Sequence, residues 1–209
     1  MKQNKIFYAL VKNFFKILLK IYNRCSVRWL EELNPNEKFI VASNHLSNLD
    51  PLVVGCFFPR SLKYFAKEEL FVNPIFGGCI RALGAMPVSR ADNASAAGAL
   101  RAFMKLYEEG SDVLIFPEGG RSLDGKLQPL EAGVALVAAR EKAPILPVFI
   151  HGTFEAMPTG AAFVKPKKIT VTFGKPLRFS PEEYASKDAR KIIMSRLTDS
   201  MKELEKNNS

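Results

Sequence analysis

KFIVASNHLSNLDP, residues 38–51, is the stretch on which the fold turns. Lys38 to Ala42 is a short run of strand composition, and the chain leaves it directly into a polar loop. That loop carries His45, one of only two histidines in the chain. A histidine takes up a proton near neutral pH, and a carboxylate on its other ring nitrogen fixes the tautomer. Asp50 lies five residues on, close enough for a turn to fold it back onto His45. A second reading stands beside this one: Asp50-Pro51 also looks like a helix N-cap followed by proline at the first helical position, with His45 bonded to loop backbone. Ser43 and Ser47 are the candidates for a serine nucleophile, but no Gly-x-Ser-x-Gly elbow occurs in the chain.

Beyond this stretch three more apolar runs read as strands: Asp112 to Phe116, Pro144 to Ile150 and Ile169 to Phe173. The prolines of the second suggest a sheet edge or a strand end. Between the runs lie helical stretches at residues 94–109, 132–141 and 181–206, the last with Ser180 and Glu183 in capping-box spacing. Strands alternating with helices point to an α/β fold, in which chemistry gathers just past strand ends.

The strand at residues 112–116 ends in a second polar cluster, Phe116-Pro117-Glu118-Gly119-Gly120-Arg121-Ser122. Paired glycines let backbone N–H groups approach an anion, and the arginine fork suits a phosphate. A plain glycine turn with a surface arginine has the same composition. Gly120 to Lys126 matches the start of a phosphate-binding P-loop, but Leu127 stands where Ser or Thr must hold magnesium, which argues against nucleotide hydrolysis.

The N-terminal segment is amphipathic. On a helical wheel Lys5, Lys12, Lys16 and Lys20 share one arc, while Phe7, Leu10, Phe14, Ile17 and Leu18 are among those filling the rest. The longest unbroken apolar run is Ile6 to Val11, against the roughly 20 residues that a spanning helix needs. The pattern predicts a helix lying in an anionic membrane interface, with packing on the protein's own core as the alternative; so broad an apolar face could serve both. Residues 1–30 are therefore assigned to a membrane-docking segment and residues 31–209 to the α/β domain. Trp29 fits either headgroup level or the core.

The formal net charge of +9 suits a polyanionic partner without choosing among nucleic acid, anionic membrane and phosphorylated substrate. Cys25, Cys56 and Cys79 are odd in number and widely spaced, and read as free thiols in a reducing compartment.

Four segments in order carry a resemblance: the His-x4-Asp segment at Asn44 to Asp50, GAMPVSR at Gly84 to Arg90, FPEGGRS at Phe116 to Ser122 and APILPV at Ala143 to Val148. The chain resembles the glycerolipid acyltransferase family, and within it the 1-acylglycerol-3-phosphate (lysophosphatidate) acyltransferases. The likeness runs from about Lys38 to Pro176 and includes Tyr64 to Leu70. It departs from the family pattern at Gly120, where Thr is commonest, and at Glu131-Ala132, where a lysine often precedes the glycine; Lys63, Lys67, Arg81 and Lys126 are candidates for the missing cation.

The resemblance implies a mixed sheet flanked by helices. It implies that His45 takes the proton from a glycerol hydroxyl as that oxygen attacks a thioester, and that Asp50 orients His45. Arg90, Glu118, Gly119, Gly120 and Arg121 would hold the acceptor phosphate. Pro144, Ile145, Leu146 and Pro147 would belong to the acyl site. The donor would be acyl-coenzyme A or acyl-acyl carrier protein and the acceptor lysophosphatidic acid, with no metal, bound cofactor or nucleic acid. The enzyme would sit on the cytoplasmic face of the membrane. Sibling activities on glycerol-3-phosphate or a lyso-aminolipid, and a non-catalytic lipid-binding module, are the alternatives. His151 is expected to be a structural loop residue.

Overall fold

The computed structural model describes residues 5–88, 96–161 and 163–208. Its strands are β1 (Ser26–Trp29), β2 (Ile40–Ser43), β3 (Leu62–Lys67), β4 (Ala85–Val88), β5 (Asp112–Ile115), β6 (Ile145–His151) and β7 (Thr170–Phe173). They form a seven-stranded sheet in the order β1-β7-β6-β2-β5-β3-β4. Every pairing is parallel except β6 with β7, so the sheet is mixed.

Helices cover both faces. On one side lie α1 (Lys5–Tyr22), α2 (Asp50–Phe57) and α3 (Pro74–Ala82). On the other lie α4 (Ala96–Glu108), α5 (Gly133–Glu141) and, past the short α6 (Thr153–Ala156) and α7 (Pro181–Ala185), α8 (Ala189–Lys206). Strands buried on both faces read as continuous apolar runs. In β6 the period of two sends Leu146, Val148 and Ile150 to the α1–α2 side and Ile145 and Phe149 to the α5–α8 side. Ala189, Ile193, Leu197, Met201 and Leu204, at helical spacing, seat α8 against the second face.

The structure corrects several expectations. The segment carrying Pro147 is an interior strand, between β2 and β7. It tolerates the proline because the missing N–H faces the last rung toward β7, where Gly174 N–H donates to the Pro147 carbonyl at 2.8 Å and receives nothing back. The capping box at Ser180 forms, but the helix stops at Ser186, which is extended, and α8 restarts after Asp188. The Ser186 hydroxyl accepts the Asp188 N–H at 3.1 Å, a local bond that competes with the helical one. Residues 26–29, assigned to the docking segment, are the edge strand of the sheet, paired with β7. Trp29 accordingly stacks on Phe173, with ring centroids 3.8 Å apart.

The largest correction concerns α1. Its two middle lysines, Lys12 and Lys16, turn toward the protein. Lys12 Nζ donates to the carbonyls of Phe58 and Arg60, just past the end of α2, and to the Tyr8 hydroxyl. The C-terminus of a helix presents unpaired carbonyls and a partial negative charge, and these draw in the ammonium. Burial lowers its pKa to about 8. Lys16 sits over the Phe57 ring. Lys20 stays exposed, and the side chain of Lys5 lies outside the described residues. The exposed face is apolar instead: Phe7, Leu10, Phe14, Ile17, Leu18 and Ile21. Among the described residues no helix is long and apolar enough to cross a membrane.

Candidate active site

The buried strand β2 carries the chain to Ser43 and releases it into a loop that returns at Asp50, the first residue of α2. Asn44 fastens the start of this loop. Its amide copies a strand rung, donating to the Ile150 carbonyl at 2.8 Å and accepting the Ile150 N–H at 2.7 Å. The loop then closes on Asp50. Oδ2 of Asp50 lies 2.9 Å from His45 Nδ1 and accepts the N–H groups of Leu46 at 2.6 Å and Ser47 at 2.7 Å. Asp50 is fully buried, so this oxygen is held by donors and by nothing from solvent. The helix-cap reading does not hold: Leu49 occupies the cap position, no side chain caps the helix, and Asp50 bonds backward into the loop.

Holding Nδ1 against a carboxylate leaves Nε2 of His45 as the outward nitrogen. The ring stacks on Phe116, centroids 4.0 Å apart at 19°. It is 18% exposed and lines an apolar cavity of about 500 Å³ together with Phe65, Leu100, Phe103, Phe116 and Val134. A second apolar cavity of about 530 Å³ lies on the other side of the same loop, between α1 and α2, and touches it at Asn48 and Leu49. The Ser47 hydroxyl donates to the Met157 carbonyl and the Ser43 hydroxyl to that of Asn44; neither is bonded to His45.

The second cluster grips the histidine from its backbone. Glu118 Oε1 accepts the His45 N–H at 2.7 Å, and Oε2 accepts the Gln128 N–H at 2.9 Å. From the same loop, Ser122 N–H donates to the His45 carbonyl at 2.8 Å. Both peptide groups of His45 are thus fixed by residues 118–122. Burial raises the Glu118 carboxyl above its ordinary value, while the two backbone donors oppose the rise. Each oxygen accepts one backbone N–H, so Glu118 is a strut between two loops. Gly119 has φ +69°, a left-handed backbone conformation that favours glycine in this turn. Arg121 is half-exposed beside this turn, and its guanidinium has no protein partner among the described residues.

Other expected residues fall elsewhere. Arg90 lies outside the described residues. Ile145, Leu146 and Pro147 belong to β6, with Pro144 just before it, and none of the four lines either cavity. The alternation of β6 packs Leu146 into one core and Ile145 into the other. Of the substitute cations, Arg81 stacks over Phe71 and none of the four lines the His45 cavity. His151 ends β6, exposed and paired with Thr170. Asn44, Phe116 and Ser122 lie inside the motifs with no role expected of them; an aromatic closing the expected strand, just before Pro117, is the signal that marks Phe116.

A family model described as Acyltransferase matches residues 24–151, more than half of the chain and the whole of both loops. The chain belongs to the acyltransferase family. It is 30% identical over 193 residues to a chloroplast 1-acyl-sn-glycerol-3-phosphate acyltransferase of Brassica napus, covering 91% of this chain and 56% of that one. It therefore spans little more than half the length of that plant relative, and 54% of a similar one from Arabidopsis thaliana. To the 1-acyl-sn-glycerol-3-phosphate acyltransferase of Bacillus subtilis it is 28% identical over 200 residues, covering 95% and 96% of the two chains. The crystal structure of the 1-acyl-sn-glycerophosphate acyltransferase of Thermotoga maritima superposes with a TM-score of 0.73 at 26% identity, over 95% of this chain and 79% of that one.

Proposed function

We propose that this acyltransferase moves a fatty acyl group from a thioester, acyl-coenzyme A or acyl-acyl carrier protein, to the free hydroxyl of 1-acylglycerol-3-phosphate, forming phosphatidic acid. The observation that carries the reading is the His45–Asp50 pair, opening on an apolar cavity and locked by its own backbone to the loop that holds Arg121. The names of the plant and bacterial relatives support the acceptor. Two apolar cavities against one histidine loop suit a reaction that brings two acyl chains together.

In this mechanism Nε2 of His45 takes the proton of the acceptor hydroxyl as its oxygen attacks the thioester carbonyl. The thiolate leaves as the tetrahedral adduct collapses, and the proton passes to it from the imidazolium. Asp50 holds Nδ1–H and offsets the charge on the ring. Arg121 and the backbone of Gly119 and Gly120, with Arg90, hold the phosphate and bring the hydroxyl within reach of Nε2. The chain works at a membrane, on its cytoplasmic face, docked by the apolar face of α1. The test is incubation with lyso-lipids, including glycerol-3-phosphate and a lyso-aminolipid, and labelled donors of both kinds. Acylation of lysophosphatidate above the others supports the reading, and binding without turnover would leave a lipid-binding module.

Two variants separate grip from support. Arg121→Ala is expected to impair use of lysophosphatidate far more than use of an acceptor without the phosphate, and Arg121→Lys to rescue it only in part, because lysine lacks the planar fork. Equal losses on both acceptors would show that Arg121 does not read the phosphate. Glu118→Gln is expected to slow both acceptors alike. Its NH2 group faces one of the two N–H donors, so stability falls by about 1–3 kcal/mol as one buried donor loses its partner. A loss confined to the phosphorylated acceptor would return Glu118 to the substrate.

A further inference from the structure

An apolar helix face that docks on an anionic bilayer is ordinarily flanked by its own cations. In α1 those cations are turned away: Lys12 is bound to the carbonyls beyond α2, and Lys16 lies over Phe57. Of the lysines in the described part of the helix beyond its first turn, only Lys20 stays exposed. The missing charge reappears from another part of the chain. The segment FVKPKK, residues 163–168, runs beside the C-terminal end of α1.

The placement of this segment is built. The Tyr22 hydroxyl donates to the Val164 carbonyl at 3.0 Å. The amide of buried Asn23 donates to the carbonyls of Lys165 and Lys167, each at 3.0 Å, and the Asn23 carbonyl accepts the Ile169 N–H at 3.1 Å. Arg24, at φ +47°, reaches the Pro166 carbonyl. The end of α1 thus takes up the carbonyls of residues 164–167, and the side chains of Lys165, Lys167 and Lys168 are left exposed. Phe163, 83% exposed, stands at the head of the segment, next to the residue bonded to Tyr22 and beside the end of the helix where Ile21 is 74% exposed. A lone exposed phenylalanine means little, but one joined to an apolar helix face and followed by three lysines does not resemble ordinary surface.

We propose that residues 163–168 are a second membrane-contacting element, in which Phe163 enters the lipid interface and Lys165, Lys167 and Lys168 lie against anionic headgroups. This rests on the reading that α1 docks on the membrane. The occupant is lipid and not an acidic protein, because the exposed aromatic and the apolar face of α1 adjoin the lysines, and a polar protein surface would leave them uncovered. Docking through two segments far apart in sequence also fixes the rotation of the domain on the membrane. Val164 of this segment lines one cavity together with Asn48 and Leu49 of the histidine loop, so the second contact lies beside that loop.

The experiment compares the full chain with Lys165→Ser/Lys167→Ser/Lys168→Ser on vesicles of phosphatidylcholine alone and of equal parts phosphatidylcholine and phosphatidylglycerol. The triple variant is expected to lose affinity for the anionic vesicles by on the order of 100-fold at low salt, the sum for three lysines at a surface. Binding to the neutral vesicles, and turnover of a short-chain soluble acceptor, should hold. Separately, Phe163→Trp with Trp29→Phe leaves one tryptophan, which brominated lipid should quench. Unchanged anionic binding by the triple variant, or an unquenched tryptophan on bound protein, overturns the proposal while leaving docking by α1 intact. Loss of turnover with a carrier-protein donor alone, at unchanged vesicle binding, overturns it in favour of a protein site. If the wild-type chain binds neither vesicle, the docking reading of α1 falls and takes this proposal with it.

Discussion

His45→Ala is expected to lower turnover by roughly 10²–10⁴-fold, the range for a lost general base, while the protein stays folded and its vesicle binding is unchanged. The geometry sets both halves of that expectation. Nδ1 is held by Asp50, so the nitrogen facing the cavity is the one that must take the proton, and among the described residues no other histidine, nor a serine hydroxyl bonded to His45, stands in its place. The fold, on the other hand, holds this position through its backbone. Glu118 and Ser122 bond the peptide groups of residue 45, which alanine retains. What alanine loses in packing is the stack on Phe116, at the edge of a cavity that already exists. Steady-state kinetics at saturating acceptor, read beside a thermal melt, checks both. A variant that keeps near-full rate would remove His45 from the chemistry, and a variant that fails to fold would show that the stack matters more than the backbone clamp.

How much of this was legible in the sequence depends on how local the cause is. The strand, the loop and the return to Asp50 lie within residues 38–51, and composition alone proposed the pair that the structure brings to 2.9 Å. The clamp from Glu118 was not legible, because its partner is the N–H of a residue 73 positions away, and nothing in Phe-Pro-Glu-Gly-Gly says which direction the carboxylate turns. The wheel of α1 separated its two arcs correctly but could not say which one faces the protein. That is decided by a carbonyl past the end of α2, 46 residues from Lys12, to which the ammonium donates. Strands β1, β3 and β4 escaped for a related reason. Ser-Val-Arg-Trp, Leu-Lys-Tyr-Phe-Ala-Lys and Ala-Met-Pro-Val are short and carry charge or proline, and they become strands because β7, β5 and each other supply their ladders.

Asp50→Asn is expected to cost on the order of 10²–10⁴-fold in turnover, by a route distinct from the loss of His45. The asparagine oxygen can take the place of Oδ2 and go on accepting from Leu46 and Ser47, so the loop keeps its closure. What disappears is the negative charge 2.9 Å from Nδ1. The carboxylate offsets the charge that the ring carries once it has taken the proton, and an amide does not, so the rate falls while the protein stays folded. A purely structural role for Asp50 predicts the opposite pattern, with any loss of rate following the loss of fold. Stability gives an independent reading. Oδ1 is buried with no partner, and asparagine puts an NH2 group there, which costs about 1–3 kcal/mol for an unpaired buried donor. Asp50→Ala should cost more, since it leaves the two loop N–H groups unpaired instead of one amide. If Asp50→Asn leaves the rate where it is, Asp50 holds the loop closed and takes no part in the proton transfer.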